Sequence, residues 1–332
     1  MYHRKTAASP PGSPQAYLAP AFLTDVRLAR VYFALQGIAG GLWWLGVFTI
    51  EPVRTATLGT LNPTAIFLLD FPIFVLGSAA IAWVASRNAG HATRTLLTLA
   101  WIVGAWTGLV AIGMAIYATI TASAGLGALI MICAALGTVW AGVLVATGNL
   151  PVEQLLRGPF AFRTAKPSRR SGHLLRTAIQ IVAFWGFFLI LLPWVIRFVE
   201  RQWGLAFEFP TAVQIIGGVA LACASVVAIW SAATMATQGK GTPLPADMAA
   251  ELVTSGPYAY VRNPMAVASI AQGVAVGLLL GSWMVVAYAV AGGLAWDWGI
   301  RPQEEADMSQ RFGGAFTRYR ERVRCWVPRF SS

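Results

Sequence analysis

Residues 265–300 read MAVASIAQGVAVGLLLGSWMVVAYAVAGGLAWDWGI, and no charged side chain appears before Asp297. A bilayer-crossing helix needs about 20 mostly apolar residues, so this run is too long for one span. Gly281-Ser282 interrupts it, and the spacing predicts a tight hairpin of two short helices. Outward from this run, apolar stretches of spanning length recur at 31–50, 64–86, 95–120, 124–148, 176–199 and 211–236. With the hairpin they make about eight membrane segments. The expected fold is therefore all-α: a polytopic transmembrane helix bundle with a helix in the C-terminal tail.

Composition supports this reading. Hydrophobic residues make up 57% of the 332-residue chain and charged residues 11%, against about 25% charged in an ordinary soluble domain. That balance excludes a soluble enzyme, a disordered chain and a disulfide-rich module. The net charge of +11 would suggest nucleic acid as a partner in a soluble protein. Here the distribution argues for membrane lipids instead. With residues 1–30 placed inside, the outer segments hold only Arg54, Arg197 and Arg201 of the 24 Lys and Arg residues. An asymmetry of that size predicts both termini on the cytoplasmic side. The chain divides into a Pro/Ser/Ala-rich tail (1–30), a five-span region (31–200) and a C-terminal membrane region (201–332). A basic loop at 149–175 is expected inside, with room for a short surface helix. Cys133, Cys223 and Cys325 have no redox or metal spacing, and His3, His91 and His173 are isolated, so the sequence offers no metal site. Asp70 is the only acid well inside the first five spans. Beside Pro72, a packing or water-facing role is favoured over a proton site.

Polar, motif-like residues concentrate after residue 236. Gln238-Gly239-Lys240-Gly241 is followed by Leu252-Val253-Thr254-Ser255-Gly256-Pro257-Tyr258-Ala259-Tyr260-Val261-Arg262-Asn263-Pro264. Beyond the hairpin come Asp297, Arg301-Pro302-Gln303-Glu304-Glu305 and then Phe312-Gly313, Tyr319-Arg320 and Val327-Pro328. Singly, each has an ordinary reading. Asn263-Pro264 is a helix cap with proline in the first turn. Glu304 and Glu305 suit a helix N-terminus. Gly256-Pro257-Tyr258 is a turn with an interfacial aromatic. Together they say more. Asp297, Arg301 and Glu305 stand at i, i+4 and i+8, on one helical face. The hairpin returns the chain to its starting depth, so Arg262 and its neighbours should meet Arg301–Glu305. The expected result is a charged pocket at the membrane surface, suited to a polar cosubstrate from water and a lipophilic acceptor from the bilayer.

Residues 250–266, with the paired acids, the later Phe-Gly, the Tyr beyond it and the closing Val-Pro, resemble the isoprenylcysteine carboxyl methyltransferases. Phospholipid N-methyltransferases belong to the same broad family of membrane methyltransferases. The resemblance covers about residues 237–330. It implies S-adenosylmethionine as methyl donor and a lipophilic or small-molecule acceptor, with carboxyl O-methylation as the family's reaction. It further implies that Leu252, Val253 and Tyr258 line the cofactor cleft and that Asn263, Pro264, Met265 and Ala266 continue it. Glu305, beside Glu304, corresponds to the carboxylate holding the cofactor, and Arg301 to a basic residue near the acceptor. Arg262 suits pairing with the donor's carboxylate, and Gly239 and Gly241 correspond to a Gly-x-Gly element of the phospholipid branch. The chain departs from the family pattern in having Asn263 for its histidine and Ala266 for its second aromatic. Two other classes share some of these features: an NADPH-dependent membrane reductase of the steroid-reductase type, and a non-catalytic membrane protein retaining the fold.

Overall fold

The computed structural model describes residues 26–87, 93–148, 170–242 and 248–328. Most of the N-terminal tail and of the basic 149–175 loop lies outside them. The described residues are helical, as a chain that must satisfy its backbone inside a bilayer requires. Among the described residues, six helices are long and apolar enough to cross a membrane: Arg27–Thr49, Pro63–Arg87, Arg94–Thr121, Gly125–Thr147, Ser171–Gln202 and Thr211–Gln238. They coincide with the six stretches read from sequence. The chain is an integral membrane protein, and its large exposed side chains, such as Trp101 and Ile120 at 77% each, fit a lipid-facing surface.

The first bundle comprises α1 (Val26–Thr49), α2 (Glu51–Leu58), α3 (Pro63–Asp70), α4 (Gly77–Arg87), α5 (Arg94–Thr121) and α6 (Gly125–Thr147). Asn62 caps α3, accepting from the amides of Thr64 and Ala65 at 3.0 and 3.2 Å; Thr93 caps α5 through the Leu96 amide at 3.2 Å. A π-helical turn, Phe71–Leu76, joins α3 to α4 within one span. Asp70 sits at its start, buried, and accepts hydrogen bonds from the indole N–H groups of Trp44 (2.9 Å) and Trp106 (2.8 Å). Of the roles considered, packing is therefore the one the structure gives it: one carboxyl ties three helices together.

The fifth span consists of α7 (Arg170–Phe184), a π turn at Trp185–Leu191 and α8 (Leu192–Gln202). Trp203, just after it, is buried among the α1, α2 and α6 side chains and donates to Thr119 Oγ1 at 3.0 Å. The C-terminal helices are α9 (Thr211–Gln238), α10 (Pro264–Leu280) and α11 (Trp283–Ala295). The hairpin is as the sequence predicts. Gly281 (φ +60°) ends α10 and Ser282 caps α11 through the Val285 amide at 3.2 Å. Packing of α9 on α10 is backbone-close: a Cβ at Gly217 would stand 2.6 Å from the Leu279 nitrogen. A third π turn, Trp296–Ile300, carries the chain out of α11 into α12 (Arg301–Phe312), followed by α13 (Gly314–Arg322). The three π turns were not anticipated.

Candidate functional site

The site is assembled where α9 ends, α10 begins and α12 leaves the hairpin. The Gly239 carbonyl accepts from the amides of Ala250 (2.7 Å) and Glu251 (3.1 Å), folding the following loop back on the end of α9. A Cβ at Gly241 would lie 2.5 Å from the Ala249 nitrogen, so these glycines serve loop packing. Gly256–Ala259 then forms a 3-10 turn that buries Tyr258.

Arg262 connects this loop to α12. Its guanidinium meets Glu305 at 2.9 Å, and Glu305 also faces Arg301 at 3.5 Å. Arg301 pairs with Asp297 at 2.5 Å, and the Trp326 indole donates to Asp297 at 2.9 Å. The i, i+4, i+8 alignment thus survives the π turn, and residues more than 40 positions apart meet as expected. The tail closes the other side. Arg262 donates through its backbone amide to the Arg324 carbonyl (2.9 Å) and through its side chain to the Arg320 carbonyl (3.2 Å). The Tyr319 hydroxyl donates to the Tyr258 carbonyl at 2.6 Å. Phe316, Tyr319 and Val323 are buried together, with Leu252, Met308 and Phe312 packed against them. On the far side of α12, Arg311 bridges Asp307 and the Ala249 carbonyl, both at 2.7 Å.

Each sequence-derived residue can now be placed. Leu252 packs into the α12–α13 core, while Val253, Tyr258 and Pro264 are buried and Asn263, Met265 and Ala266 are half-buried. Asn263 corrects one expectation: Pro264 does open α10, but the Asn263 side chain makes no capping bond. Glu305 is engaged by two arginines. Glu304 differs: half-buried, its carboxyl has no hydrogen bond or ion pair among the described residues. Burial, reinforced by Glu305 and Asp307 and opposed by Arg311, pushes its carboxyl up to about 7. The Tyr258 hydroxyl is buried with no hydrogen-bond partner among the described residues, and burial together with Glu304 drives its ionisation well above the usual tyrosine range. The Arg262 Nε is likewise buried and unpaired. Sequence reasoning missed Asp307, Arg311 and Trp326; the i, i+4 spacing of Asp307 and Arg311 was a readable signal.

An unpaired buried hydroxyl costs about 1–3 kcal/mol, and an acid among other acids adds to that. Such groups beside a charged network make this region the candidate site for a polar ligand. Residues 213–315 match the phospholipid methyltransferase family. The matched stretch covers a little under a third of the chain and contains α9 from its first turn, the Arg262 loop, the hairpin and all of α12. No curated protein matches the chain. The matched segment coincides with the part of the chain that carries the charged network.

Proposed function

We propose that this chain is an S-adenosylmethionine-dependent membrane methyltransferase acting on a lipophilic or small acceptor, isoprenylcysteine carboxyl methyltransferase-like in its motifs. Its donor site lies between residues 252–266 and α12, facing the cytoplasm, as the basic-residue asymmetry argues. One observation carries the reading: within the matched segment, the Glu304 carboxyl and the Tyr258 hydroxyl feel each other electrostatically, and neither has a hydrogen-bond or ion-pair partner among the described residues.

The residues fit the group. When bound, S-adenosylmethionine supplies an electrophilic methyl on a sulfonium, together with an ammonium, a carboxylate and ribose hydroxyls. Glu304 offers an acceptor for the ammonium or the hydroxyls, and its ionised form is favoured by an adjacent cation. Tyr258 offers a donor, and the half-buried Asn263 amide offers both donor and acceptor. Arg262 and Glu305 hold the two walls of the cleft at fixed separation. Arg301 is placed by Asp297 and Glu305 near the membrane edge, where it can orient an anionic acceptor. A carboxylate acceptor needs no general base, so the chain's lack of a histidine here is no obstacle. The residues contribute chiefly orientation, worth about 7–11 kcal/mol in favourable bimolecular cases.

Equilibrium binding of S-adenosylmethionine to the purified, monodisperse full chain tests this. Binding should be measurable and should weaken at least tenfold in Glu304→Gln. Folded protein that does not bind the donor overturns the reading. Labelled methyl transfer into a membrane lipid extract then identifies the acceptor class.

A further inference from the structure

Two of the three basic residues that the sequence assigns to the end of the bundle away from the Arg262 network, Arg197 and Arg201, converge on one cavity. It has a volume of about 430 Å³ and is lined by Trp194, Arg197, Phe198, Arg201, Gln202 and Leu280. Leu280 is the last residue of α10, whose 17 residues begin beside Arg262; at about 1.5 Å per residue, the cavity is about 25 Å away along the helix. It is a separate place from the proposed donor site.

Its construction is specific. Trp194, Arg197, Phe198 and Arg201 fall at i, i+3, i+4 and i+7 along α8, so two aromatics and two guanidiniums share one stripe. The Trp194 and Phe198 rings stack at 6.4 Å. Arg197 is held from behind: its Nη1 contacts Glu200 Oε2 at 3.2 Å, and Glu200, fully buried, also accepts from Ser282 at the hairpin tip. This contact fixes one arginine and ties α8 to the cavity's far wall. The Arg197 Nε is nevertheless buried without a partner. Arg201 is exposed, and its side chain makes no hydrogen bond or ion pair among the described residues. Even with Glu200 ionised, one positive charge is left over. Of the other acids at this end, Glu51 pairs with Arg54 at 2.9 Å and Glu208 does not line the cavity.

We infer that this cavity binds a phosphate-bearing anion, with Arg197 and Arg201 as its donors. Guanidiniums present donors in a fork that matches phosphate oxygens. Trp194 (66% exposed), Phe198 (52%) and Leu280 (39%) offer the apolar surface that a lipid's glycerol backbone and first methylenes would cover. The anion is thus a phospholipid headgroup or free phosphate, and experiment separates the two.

The test titrates delipidated full chain in detergent with dioleoyl phosphatidylglycerol, dioleoyl phosphatidylcholine or inorganic phosphate, read by native mass spectrometry. Phosphatidylglycerol should be retained at least fivefold better than phosphatidylcholine. Arg201→Gln should abolish that preference, Arg201→Lys should weaken it, and Arg54→Gln, which removes a charge elsewhere at the same end, should leave it intact. Displacement by millimolar phosphate supports the phosphate group as the recognised feature. Phosphate binding that depends on Arg201, without lipid retention, assigns the site to the free anion. Equal retention of both lipids together with no Arg201-dependent phosphate binding overturns the inference, as does identical behaviour of Arg201→Gln and the unaltered chain.

Discussion

Titrating Glu304 separates a ligand-ready carboxyl from an ordinary surface acid. Its value is pushed from the usual 4.5 up to about 7, first by burial and then by Glu305 and Asp307. That difference corresponds to about 3 kcal/mol disfavouring the ionised form. Because Glu304 is only half-buried, water screens part of this, and about 2–3 kcal/mol is the upper range. The sign follows from linkage. The folded carboxyl holds its proton more tightly than the unfolded one. Its stability contribution is therefore fully present below pH 4.5 and is lost as pH rises through about 7. The ligand-free protein should lose several degrees of melting temperature between pH 5 and 7.5.

A bound cation reverses the preference. If the donor's positive groups meet Glu304, binding requires the ionised form, so affinity should rise through the same window. At pH 6, about a tenth of the carboxyls are ionised, and donor affinity should be about tenfold below its plateau. Glu304→Gln replaces the titrating carboxyl with a neutral amide, so its melting temperature should depend less on pH and its donor affinity should be low and flat. Thermal unfolding and donor titration across pH 5–7.5, on the same preparations, measure both. A Glu304→Gln profile superimposed on that of the unaltered chain in both experiments refutes the reasoning.

Arg262→Ala removes the 2.9 Å contact to Glu305 and the bond to the Arg320 carbonyl. About 2–3 kcal/mol of stability should go with them, and donor affinity should fall further than melting temperature alone accounts for. Tyr319→Phe should cost about 1–2 kcal/mol by stranding the Tyr258 carbonyl, whereas Tyr258→Phe, losing an unpaired hydroxyl, should leave ligand-free stability unchanged or raised while weakening donor binding. Calorimetry and donor titration resolve these two opposite patterns. Asp70→Asn leaves one oxygen to accept from two indoles and should lower the detergent-solubilised melting transition by the equivalent of about 1–3 kcal/mol.

Local rules carried much of this fold. Each span is a self-contained apolar run, and Gly281-Ser282 is a break inside one, so the hairpin followed from sequence alone. The alignment of Asp297, Arg301 and Glu305 needed only helical periodicity. What was not legible depends on partners elsewhere in the chain. The π turns at Phe71–Leu76, Trp185–Leu191 and Trp296–Ile300 each insert a residue into a helix that sequence reads as continuous. Asp70 could be given a settled role only once Trp44 and Trp106 arrived from α1 and α5. Asn263 has the residue type of a cap in the right place, yet its side chain leaves the helix uncapped.

Glu304 and Glu305 show why a sequence pair can hide two functions. Adjacent residues on an α-helix project about 100° apart, so one helix cannot aim both carboxyls at the same group. Glu305 shares the face of Asp297 and Arg301 and closes on Arg262. Its charge is matched by arginines, and it fastens the 250–263 loop to α12. Glu304 is turned off that face, its electrostatic neighbours including Tyr258, Glu305, Asp307 and Arg311, and among the described residues no arginine pairs with it. With its pKa pushed up to about 7, an unpaired half-buried carboxyl at position 304 weakens the ligand-free fold at neutral pH. A ligand that brings its own positive charge offsets that cost. A sulfonium nucleotide is such a ligand, and an uncharged or anionic cosubstrate would leave the cost at Glu304 uncompensated.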